Sequence, residues 1–178
     1  MSLYRLIKCL GNGSYGSVYL VKAYKNNKNY AMKRISTYNM GEKHKRNLLN
    51  EIRILKHCEC PYILKLVNVV VNFTNIDIIT HFARYGDFLY IIKRRRQLRF
   101  EEQLIWSYFI QVSLGLKYLH HNNIIHRDIK CANIFLNSGD SVVIGDLGSS
   151  KIINQQTLNC TNNVGTPYYM CPQIMTNQ

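Results

Sequence analysis

The sequence predicts an α+β fold of two lobes, a strand-rich N-terminal lobe and a helix-rich C-terminal lobe. Residues 1–82 hold five segments with strand-like alternation and one amphipathic helix, whereas most of residues 88–122 have helical spacing. The connection from Phe82 to Asp87 contains Gly86 and short polar residues, which is typical of a linker. We therefore assign residues 1–82 to the N-lobe and residues 83–178 to the C-lobe.

Five strands are expected in the N-lobe: Leu3–Leu10, Ser17–Ala23, Tyr30–Ile35, Ile63–Phe73 and Ile76–Phe82. Glycine-rich and polar turns separate the first three. Within the third strand, Ala31 and Lys33 lie on the same face, because side chains alternate with a period of two. This face of the third strand therefore presents a lysine beside a small apolar residue.

The helix expected over Gly41–His57 carries a carboxylate on its apolar side. Leu48, Glu51 and Leu55 fall on one face of this helix. Burying a carboxylate is costly unless it finds a cation or a hydrogen-bond donor. Lys33 in the third strand is the natural partner for Glu51.

Two helices are expected in the C-lobe, a short one over Phe88–Arg95 and a long one over Phe100–Asn122. The long helix has one apolar stripe formed by Ile105, Phe109, Val112, Leu116 and Leu119. A second apolar group lies roughly opposite, formed by Ile110, Leu114 and Tyr118. A helix that is apolar on two sides is normally buried within a larger domain.

No part of the sequence has the features of a membrane or secretory segment. No apolar run reaches the ~18 residues of a membrane helix, and Met1–Leu10 lacks a signal-peptide core. The six cysteines are scattered without zinc-ligand spacing, so free thiols in a reducing compartment are expected. These features predict a cytoplasmic protein without a membrane partner and leave nuclear or cytoskeletal association open.

The net charge of +13 is partly concentrated in two basic clusters, at residues 43–46 and 93–99. Such clusters can bind nucleic acids or acidic protein surfaces. They are more often solvated faces of helices or loops, and no nucleic-acid motif accompanies them. A nucleic-acid partner is therefore disfavoured, and a basic nucleic-acid-binding module is kept only as a third hypothesis.

The segment from His126 to Asn133, followed by Asp146, carries the strongest chemical signal. Asp128 lies five residues before Asn133, and Asp146 follows after a short hairpin. Such a loop can present a proton acceptor and two metal-facing side chains to the phosphates of a nucleotide. An H-R-D-x-x-x-x-N pattern followed by a D-x-G triplet is typical of phosphoryl transfer.

A glycine-rich turn lies upstream, between the first two expected strands. Its residues are Gly11, Asn12, Gly13, Ser14, Tyr15 and Gly16. Glycines allow backbone amides to approach phosphates without a Cβ atom in the way. The pattern is weak alone, but it gains weight because it follows a strand and precedes Ala31-Met32-Lys33.

In this order and spacing, the motifs resemble those of protein kinases, specifically NIMA-related serine/threonine kinases, from about Tyr4 to Pro172. The segment from Gly165 to Met170 resembles the substrate-binding segment of the same kinases. The resemblance implies a bilobal fold with a five-stranded antiparallel N-lobe sheet, one N-lobe helix and an incomplete, mainly helical C-lobe. It also implies transfer of the γ-phosphate of ATP, with Mg²⁺, to serine or threonine hydroxyls of protein substrates.

The resemblance assigns nucleotide-binding roles to individual residues. Lys33 would contact the α- and β-phosphates of ATP, and Glu51 would hold Lys33 in place. Thr80 would be the gatekeeper behind the adenine pocket. The remaining implied nucleotide-binding residues are Leu10, Gly11, Asn12, Gly13, Ser14, Tyr15, Gly16, Val18, Ala31, Phe82, Ala83 and Asp146.

The resemblance also assigns the catalytic roles. Asp128 would accept the proton of the substrate hydroxyl, and Lys130 would neutralise charge on the transferred phosphoryl group. Asn133 and Asp146 would bind Mg²⁺ through oxygen atoms. Thr166 would hydrogen-bond near Asp128 and Lys130.

The segment from Gly148 to Gly165 would be the activation loop. Thr161 is its leading candidate for phosphorylation. Arg127, beside the catalytic aspartate, could pair with that phosphate, because the guanidinium fork matches phosphate oxygens.

Two departures from the family pattern bear on activity. The A-P-E triplet is replaced by Cys171-Pro172-Gln173, so Gln173 cannot form the ion pair of the family's glutamate. The chain ends five residues later, so the helices that normally pack beneath the long helix are expected to be missing. We therefore expect marginal stability, aggregation, or a partner covering this exposed C-lobe face. A catalytically impaired, nucleotide-binding scaffold is the alternative function.

Overall fold

The computed structural model of the chain describes residues 3–13, 16–38, 40–96, 98–153 and 164–176. The chain forms two compact units. The N-terminal unit comprises Met1–Cys58 and Leu64–Ala83, and the C-terminal unit comprises Glu59–Ile63 and Arg84–Gln178. Within the described ranges, no helix is long and apolar enough to cross a membrane. The cysteines described there are free thiols, namely Cys9, Cys58, Cys60, Cys131 and Cys171.

The N-terminal unit contains a five-stranded sheet and one helix. Its elements are β1 (Tyr4–Gly13), β2 (Gly16–Ala23), β3 (Asn29–Ser36), α1 (Glu42–His57), β4 (Leu66–Val71) and β5 (Asn75–His81). The strand order is β1-β2-β3-β5-β4, and all neighbouring strands are antiparallel. The predicted five-stranded antiparallel sheet with a single helix is confirmed.

The buried side chains of this unit follow the two sequence periodicities. On the sheet, Val21, Met32 and Ile79 form a buried cluster across β2, β3 and β5. On α1, the buried residues are Leu48, Glu51, Ile54 and Leu55. Because Ile54 and Leu55 lie three and four residues after Glu51, and Leu48 three before it, one face of α1 is apolar and carries Glu51 into the interior.

The C-terminal unit is mainly helical. Its elements are α2 (Phe88–Arg94), α3 (Glu102–His121), β6 (Ile124–Ile125), β7 (Ile134–Leu136), β8 (Val142–Ile144), β9 (Lys151–Ile152) and α4 (Pro172–Thr176). Two small antiparallel sheets pair β6 with β9 and β7 with β8. Asp87 caps α2, because its side chain accepts a hydrogen bond from the backbone N–H of Tyr90 at 2.8 Å.

The buried stripe of the long helix α3 agrees with the predicted one only in part: Leu119 is buried and Val112 and Leu116 are partly buried, but Ile105 and Phe109 are not. Its buried residues are Tyr108, Gly115 and Leu119. Ile105 and Phe109, which were expected in the packed stripe, are 51% and 61% exposed. Tyr108 takes their place because its ring packs edge to face on Phe88, with centroids 4.9 Å apart. An apolar face of α3 is therefore open to solvent, formed by Ile105, Trp106, Phe109, Ile110 and Leu114.

The residues before β4 do not extend that strand, although the sequence predicted a strand from Ile63. Instead, Ile63 is buried in the C-terminal unit and forms a parallel bridge with Ile144 of β8. The backbone N–H of Ile144 donates to the carbonyl oxygen of Tyr62 at 2.8 Å. Gly115 of α3 packs against the same place, since a Cβ atom there would lie 2.9 Å from Ile144 Cδ1 and 3.1 Å from Tyr62 O.

Candidate active site

Lys33 and Glu51 form an ion pair inside the N-terminal unit. Lys33 Nζ donates to Glu51 Oε1 at 2.8 Å and to Oε2 at 3.0 Å. The Glu51 side chain is 7% exposed and that of Lys33 22%, so the pair is shielded from water and holds the ammonium group in one position. The structure therefore brings together the two residues that the sequence paired.

The glycine-rich turn is the tip of the β1–β2 hairpin. Gly13 pairs with Gly16 across its end, and Ser14 and Tyr15 lie outside the described residues. Leu10 and Asn12 are exposed on β1. A Cβ atom on Gly11 would meet nothing within 4 Å, so the space over this part of the hairpin is open.

Gly16 has a structural role that the sequence did not reveal. Its φ is +141°, a conformation that residues with side chains rarely adopt. A Cβ atom at this position would collide with the carbonyl oxygen of Arg34 in β3. Glycine is therefore needed here for close packing of the hairpin on β3, independently of any phosphate.

The predicted adenine-pocket residues share one face of the sheet. Val18 is the register partner of both Gly11 and Lys33, and Ala31 is the partner of Thr80. Ala31 and Lys33 are two residues apart, so these side chains lie on the same face. The predicted hinge residues follow at the end of β5, where Thr80 and Ala83 are buried and Phe82 is half-buried.

The catalytic loop of the C-terminal unit holds a compact hydrogen-bonded cluster. Lys130 Nζ donates to Asp128 Oδ2 at 2.7 Å and to Thr166 Oγ1 at 2.7 Å. Thr166 Oγ1 in turn donates to Asp128 Oδ1 at 2.7 Å. Asn133 Nδ2 donates to the same carboxylate at 3.1 Å. The structure therefore places three predicted site residues within hydrogen-bond distance of the Asp128 carboxylate, namely Lys130, Asn133 and Thr166.

This cluster keeps Asp128 ionised. Partial burial raises the pKa of Asp128, but hydrogen bonds from Lys130, Thr166 and Asn133, together with the charge of Lys130, outweigh it and leave the pKa below its ordinary value. At neutral pH the carboxylate is thus free to accept a proton or a hydrogen bond from a substrate hydroxyl. Its oxygens are held in a fixed direction by three donors.

His126 connects the catalytic loop to the residue before Asp146. Burial lowers the pKa of His126, so the imidazole is neutral. The backbone N–H of Asp128 donates to Nδ1 at 3.2 Å, and Nε2 lies 2.9 Å from the carbonyl oxygen of Gly145. Nδ1 is therefore the acceptor and Nε2–H the donor. One neutral ring therefore bonds the backbone of Asp128, the candidate base, and that of Gly145, the residue before the candidate Mg²⁺ ligand Asp146.

The oxygen chemistry of Asn133 and Asp146 fits Mg²⁺. The side-chain nitrogen of Asn133 donates to the Asp128 carboxylate at 3.1 Å and to the backbone carbonyl oxygen of Asp128 at 2.8 Å. The side-chain oxygen of Asn133 is therefore the atom left for a cation. The Gly145 N–H donates to Asn133 O at 2.9 Å, which ties the two segments together. In the described residues no group of three or more His, Cys, Asp or Glu could hold a metal. Two side-chain oxygens suit Mg²⁺, which retains waters and takes phosphate oxygens.

Two features of this site escaped the sequence analysis. Arg127 Nε donates to the Ser149 carbonyl oxygen at 2.7 Å, so the arginine also binds the backbone. Thr161, its predicted phosphate partner, lies outside the described residues.

The second feature is Gln111 in α3, whose side chain forms hydrogen bonds with the backbone of the turn between β7 and β8. Its Nε2 donates to Asp140 O and its Oε1 accepts from Val142 N, both at 2.9 Å. Gln111 is partly buried, and a glutamine at this position of a helix gives no sequence signal for these hydrogen bonds.

The fold and these two clusters define a protein kinase. The protein kinase domain family matches residues 4–178, and the chain belongs to that family. The buried Lys–Glu pair on β3 and α1 and the Asp–Lys–Asn–Thr cluster of the catalytic loop are the parts that the family motifs predicted.

Within the family, the chain is similar to NIMA-related serine/threonine kinases, as the sequence analysis predicted. It is 34% identical over 178 residues to serine/threonine-protein kinase Nek6 of Oryza sativa subsp. japonica, covering 99% of this chain and 33% of that protein. It is 34% identical over 179 residues to Nek5 of Homo sapiens, covering 100% and 25%. It is 30% identical over 178 residues to Nek1 of Mus musculus, covering 100% and 15%. The chain thus spans a third or less of the length of these relatives.

Proposed function

We propose that the chain is a serine/threonine protein kinase that uses ATP and Mg²⁺. The hydrogen-bonded cluster of Asp128, Lys130, Asn133 and Thr166 carries this proposal. It combines an ionised carboxylate with a lysine, the two residues to which the resemblance to serine/threonine kinases assigned the catalytic roles. Family membership and the names of the relatives support the same reaction.

In the proposed reaction, Asp128 accepts the proton of a serine or threonine hydroxyl while the hydroxyl oxygen bonds to the γ-phosphorus. The bond between that phosphorus and the β–γ bridging oxygen breaks, and its electron pair leaves with ADP. Lys130 places a positive charge beside the carboxylate at 2.7 Å, near the transferring group. Mg²⁺, when bound through Asn133 and Asp146, supplies further positive charge to the phosphate oxygens. Lys33, fixed by Glu51, holds the α- and β-phosphates.

A phosphotransfer assay with a generic protein substrate tests the proposal. Asp128→Asn keeps the shape and much of the hydrogen bonding but cannot accept the proton, so we expect activity to fall by about 10²–10⁴-fold. Nucleotide binding, measured by calorimetry, should change little. Activity of Asp128→Asn within a few-fold of the parent would contradict the assigned base.

A catalytically impaired, nucleotide-binding form is the second candidate. Two observations favour it: Gln173 replaces the glutamate of the family triplet, and α3 exposes a large apolar face. Under this alternative, ATP binds through the N-terminal unit but neither the parent nor Asp128→Asn transfers phosphate. In both cases we propose that another polypeptide surface covers the exposed face of α3, because exposed apolar surface of this kind is unfavourable in water.

A further inference from the structure

The five-stranded sheet has two edge strands, β1 and β4, and they differ in how they are protected from pairing with another chain. The cations Arg5 and Lys8 and two register shifts lie along β1, and charges and bulges of this kind discourage further strand pairing. β4 (Leu66–Val71) carries no charge, and its single register shift lies at its start, between Leu66 and Asn68. The stretch from residue 68 to residue 72 is therefore a regular, uncharged strand edge.

Val69 and Val71 direct their backbone groups away from the sheet. The Asn72 N–H donates to the carbonyl oxygen of Asn75 at 2.8 Å, so these two residues form a hydrogen-bonded pair between the strands β4 and β5. Hydrogen-bonded and non-hydrogen-bonded pairs alternate along an antiparallel ladder, and the register gives Val71 and Val69 the non-hydrogen-bonded positions. Their N–H and C=O groups therefore point outward, where no other strand among the described residues pairs with β4.

One of these outward groups bonds to a neighbouring side chain instead of a strand. The Val69 N–H donates to Oδ1 of Asn68 at 2.9 Å. A side chain that bonds an adjacent backbone group in this way takes the place of a partner strand. The N–H and C=O of Val71 and the C=O of Val69 make no backbone hydrogen bond on this side in the described part of the chain. They are therefore available to an added strand.

The side chains at this edge are apolar and open to solvent. Val71 is 72% exposed, and Phe73, at the tip of the turn between β4 and β5, is 104% exposed. A single exposed apolar residue is common on a protein surface, but these two lie beside open backbone groups. Aromatic and aliphatic side chains exposed together are typical of interaction surfaces. The edge thus presents both the hydrogen-bonding groups and the apolar contacts that an added strand uses.

The charge of the N-terminal unit favours an acidic occupant of this edge. Of the 23 lysine and arginine residues of the chain, 13 lie in this unit, together with only three of the 10 carboxylates. All three carboxylates are in ion pairs with cations of the same unit. Lys65, directly before β4, is exposed, as are Arg53 and Lys56 of α1, the helix that packs against β4. Such an excess attracts acidic segments and repels a second copy of the same unit.

We propose that the outer edge of β4 binds an extended, acidic segment of a partner protein, which pairs with β4 as a sixth strand. The open N–H and C=O groups favour a polypeptide over a nucleic acid, because a peptide backbone repeats donors and acceptors at the spacing of a strand. At about 3.4 Å per residue, residues 68–72 pair with a segment of roughly five residues. The segment has apolar side chains at alternate positions, for contact with Val71 and Phe73, and carboxylates between them. This binding does not depend on the proposed kinase reaction.

Binding of a synthetic peptide to the full chain tests the proposal. The probe is a fluorescent peptide of about eight residues that alternates valine and glutamate, which is long enough to cover the edge, and its binding is followed by anisotropy. The control probe has the same side chains and charge, but its central residues are N-methylated and cannot donate hydrogen bonds. We expect the control probe to bind about 5- to 150-fold more weakly, the range for losing two hydrogen bonds.

Substitution of Val71 locates the site on the chain. Val71→Pro removes the outward N–H but no hydrogen bond to β5, which is the position where an edge strand tolerates proline. We expect Val71→Pro to weaken binding of the probe by about 2- to 12-fold, the range for one hydrogen bond. Val71→Thr is the matched control, because it keeps the N–H and the branched shape, and it should bind the probe like the parent.

Hydrogen exchange of the parent chain, followed by NMR, needs no substitution. The Val71 N–H should exchange rapidly in the free chain and become protected by the peptide, whereas the Val70 N–H, which faces Asp77 of β5, should be protected in both. Equal binding of the two probes, no binding of either, or an unprotected Val71 N–H at saturating peptide would overturn the proposal. It would also be overturned if a single-stranded oligonucleotide of equal charge, or self-association of the free chain at high concentration, protected the Val71 N–H equally well. None of these measurements requires phosphotransfer, so a failure here is distinct from a failure of the proposed function.

Discussion

Gly16 provides a sharp test of how the glycine-rich hairpin is held on the sheet. In Gly16→Ala the new methyl group would collide with the carbonyl oxygen of Arg34, and the φ of +141° would be strained for alanine. Backbone strain of this kind costs about 1–3 kcal/mol, and overpacking against a neighbour costs about 1–3 kcal/mol more. The expected loss is therefore about 2–6 kcal/mol, a large part of a typical stability of about 5–15 kcal/mol.

Thermal unfolding followed by circular dichroism measures this loss. At about 2–4 °C per kcal/mol for a chain of this size, the melting temperature of Gly16→Ala should fall by about 5–20 °C. Gly11→Ala is the matched control, because its methyl group meets nothing within 4 Å; its melting temperature should stay the same or rise slightly. If Gly11 lies against ATP phosphates as proposed, Gly11→Ala should also raise KM for ATP. Equal melting temperatures for the two variants would refute the reasoning.

Three further changes probe the catalytic loop, the α3 packing and the sheet. Thr166→Val removes a hydrogen bond that lowers the pKa of Asp128, so that pKa should rise and the acid limb of the phosphotransfer pH profile should move to higher pH, with Thr166→Ser as the control. Because folding lowers the pKa of Asp128, its carboxylate adds to the free energy of unfolding at pH values above the pKa of the unfolded state. This contribution is lost as the pH falls through the pKa of the folded state. Gly115→Ala gains about 1 kcal/mol of helix propensity but overpacks by about 1–3 kcal/mol, so urea unfolding should show a net loss; a gain would contradict the packing. Lys22→Glu replaces a like-charge pair with Arg5 by an attractive one and should raise stability by about 0.2–1 kcal/mol, measured by thermal unfolding against Lys22→Gln.

Short-range patterns predicted the parts of the fold and site that depend on local periodicity. Glu51 stood among apolar residues at helical spacing, so its burial required a cation, and Lys33 is that cation at 2.8 Å. Strand alternation placed Ala31 and Lys33 on one face, where the register also places Val18. The roles of these residues with ATP stay predictions.

Long-range packing decided what the sequence could not. Ile105 and Phe109 fit an apolar stripe as well as Tyr108 does, and Tyr108 is the one buried because it packs against Phe88 and the buried side chains of β7 and β8. Backbone conformations were equally hidden. Asp146, with φ of 51°, adopts a left-handed conformation that is uncommon outside glycine. The sequence around Asp146 does not predict this backbone conformation.

The hydrogen bonds of the catalytic loop also have a consequence for the order of folding. Asp128 bonds Asn133 five residues away, His126 bonds Gly145 nineteen residues away, and Arg127 bonds Ser149 twenty-two residues away. Closing such short loops costs little chain entropy, and segments rich in local contacts form rapidly. We expect residues 126–149 to gain protection early in pulsed hydrogen exchange, before Arg34 meets Asp77 across 43 residues. Simultaneous protection of both regions would contradict this order.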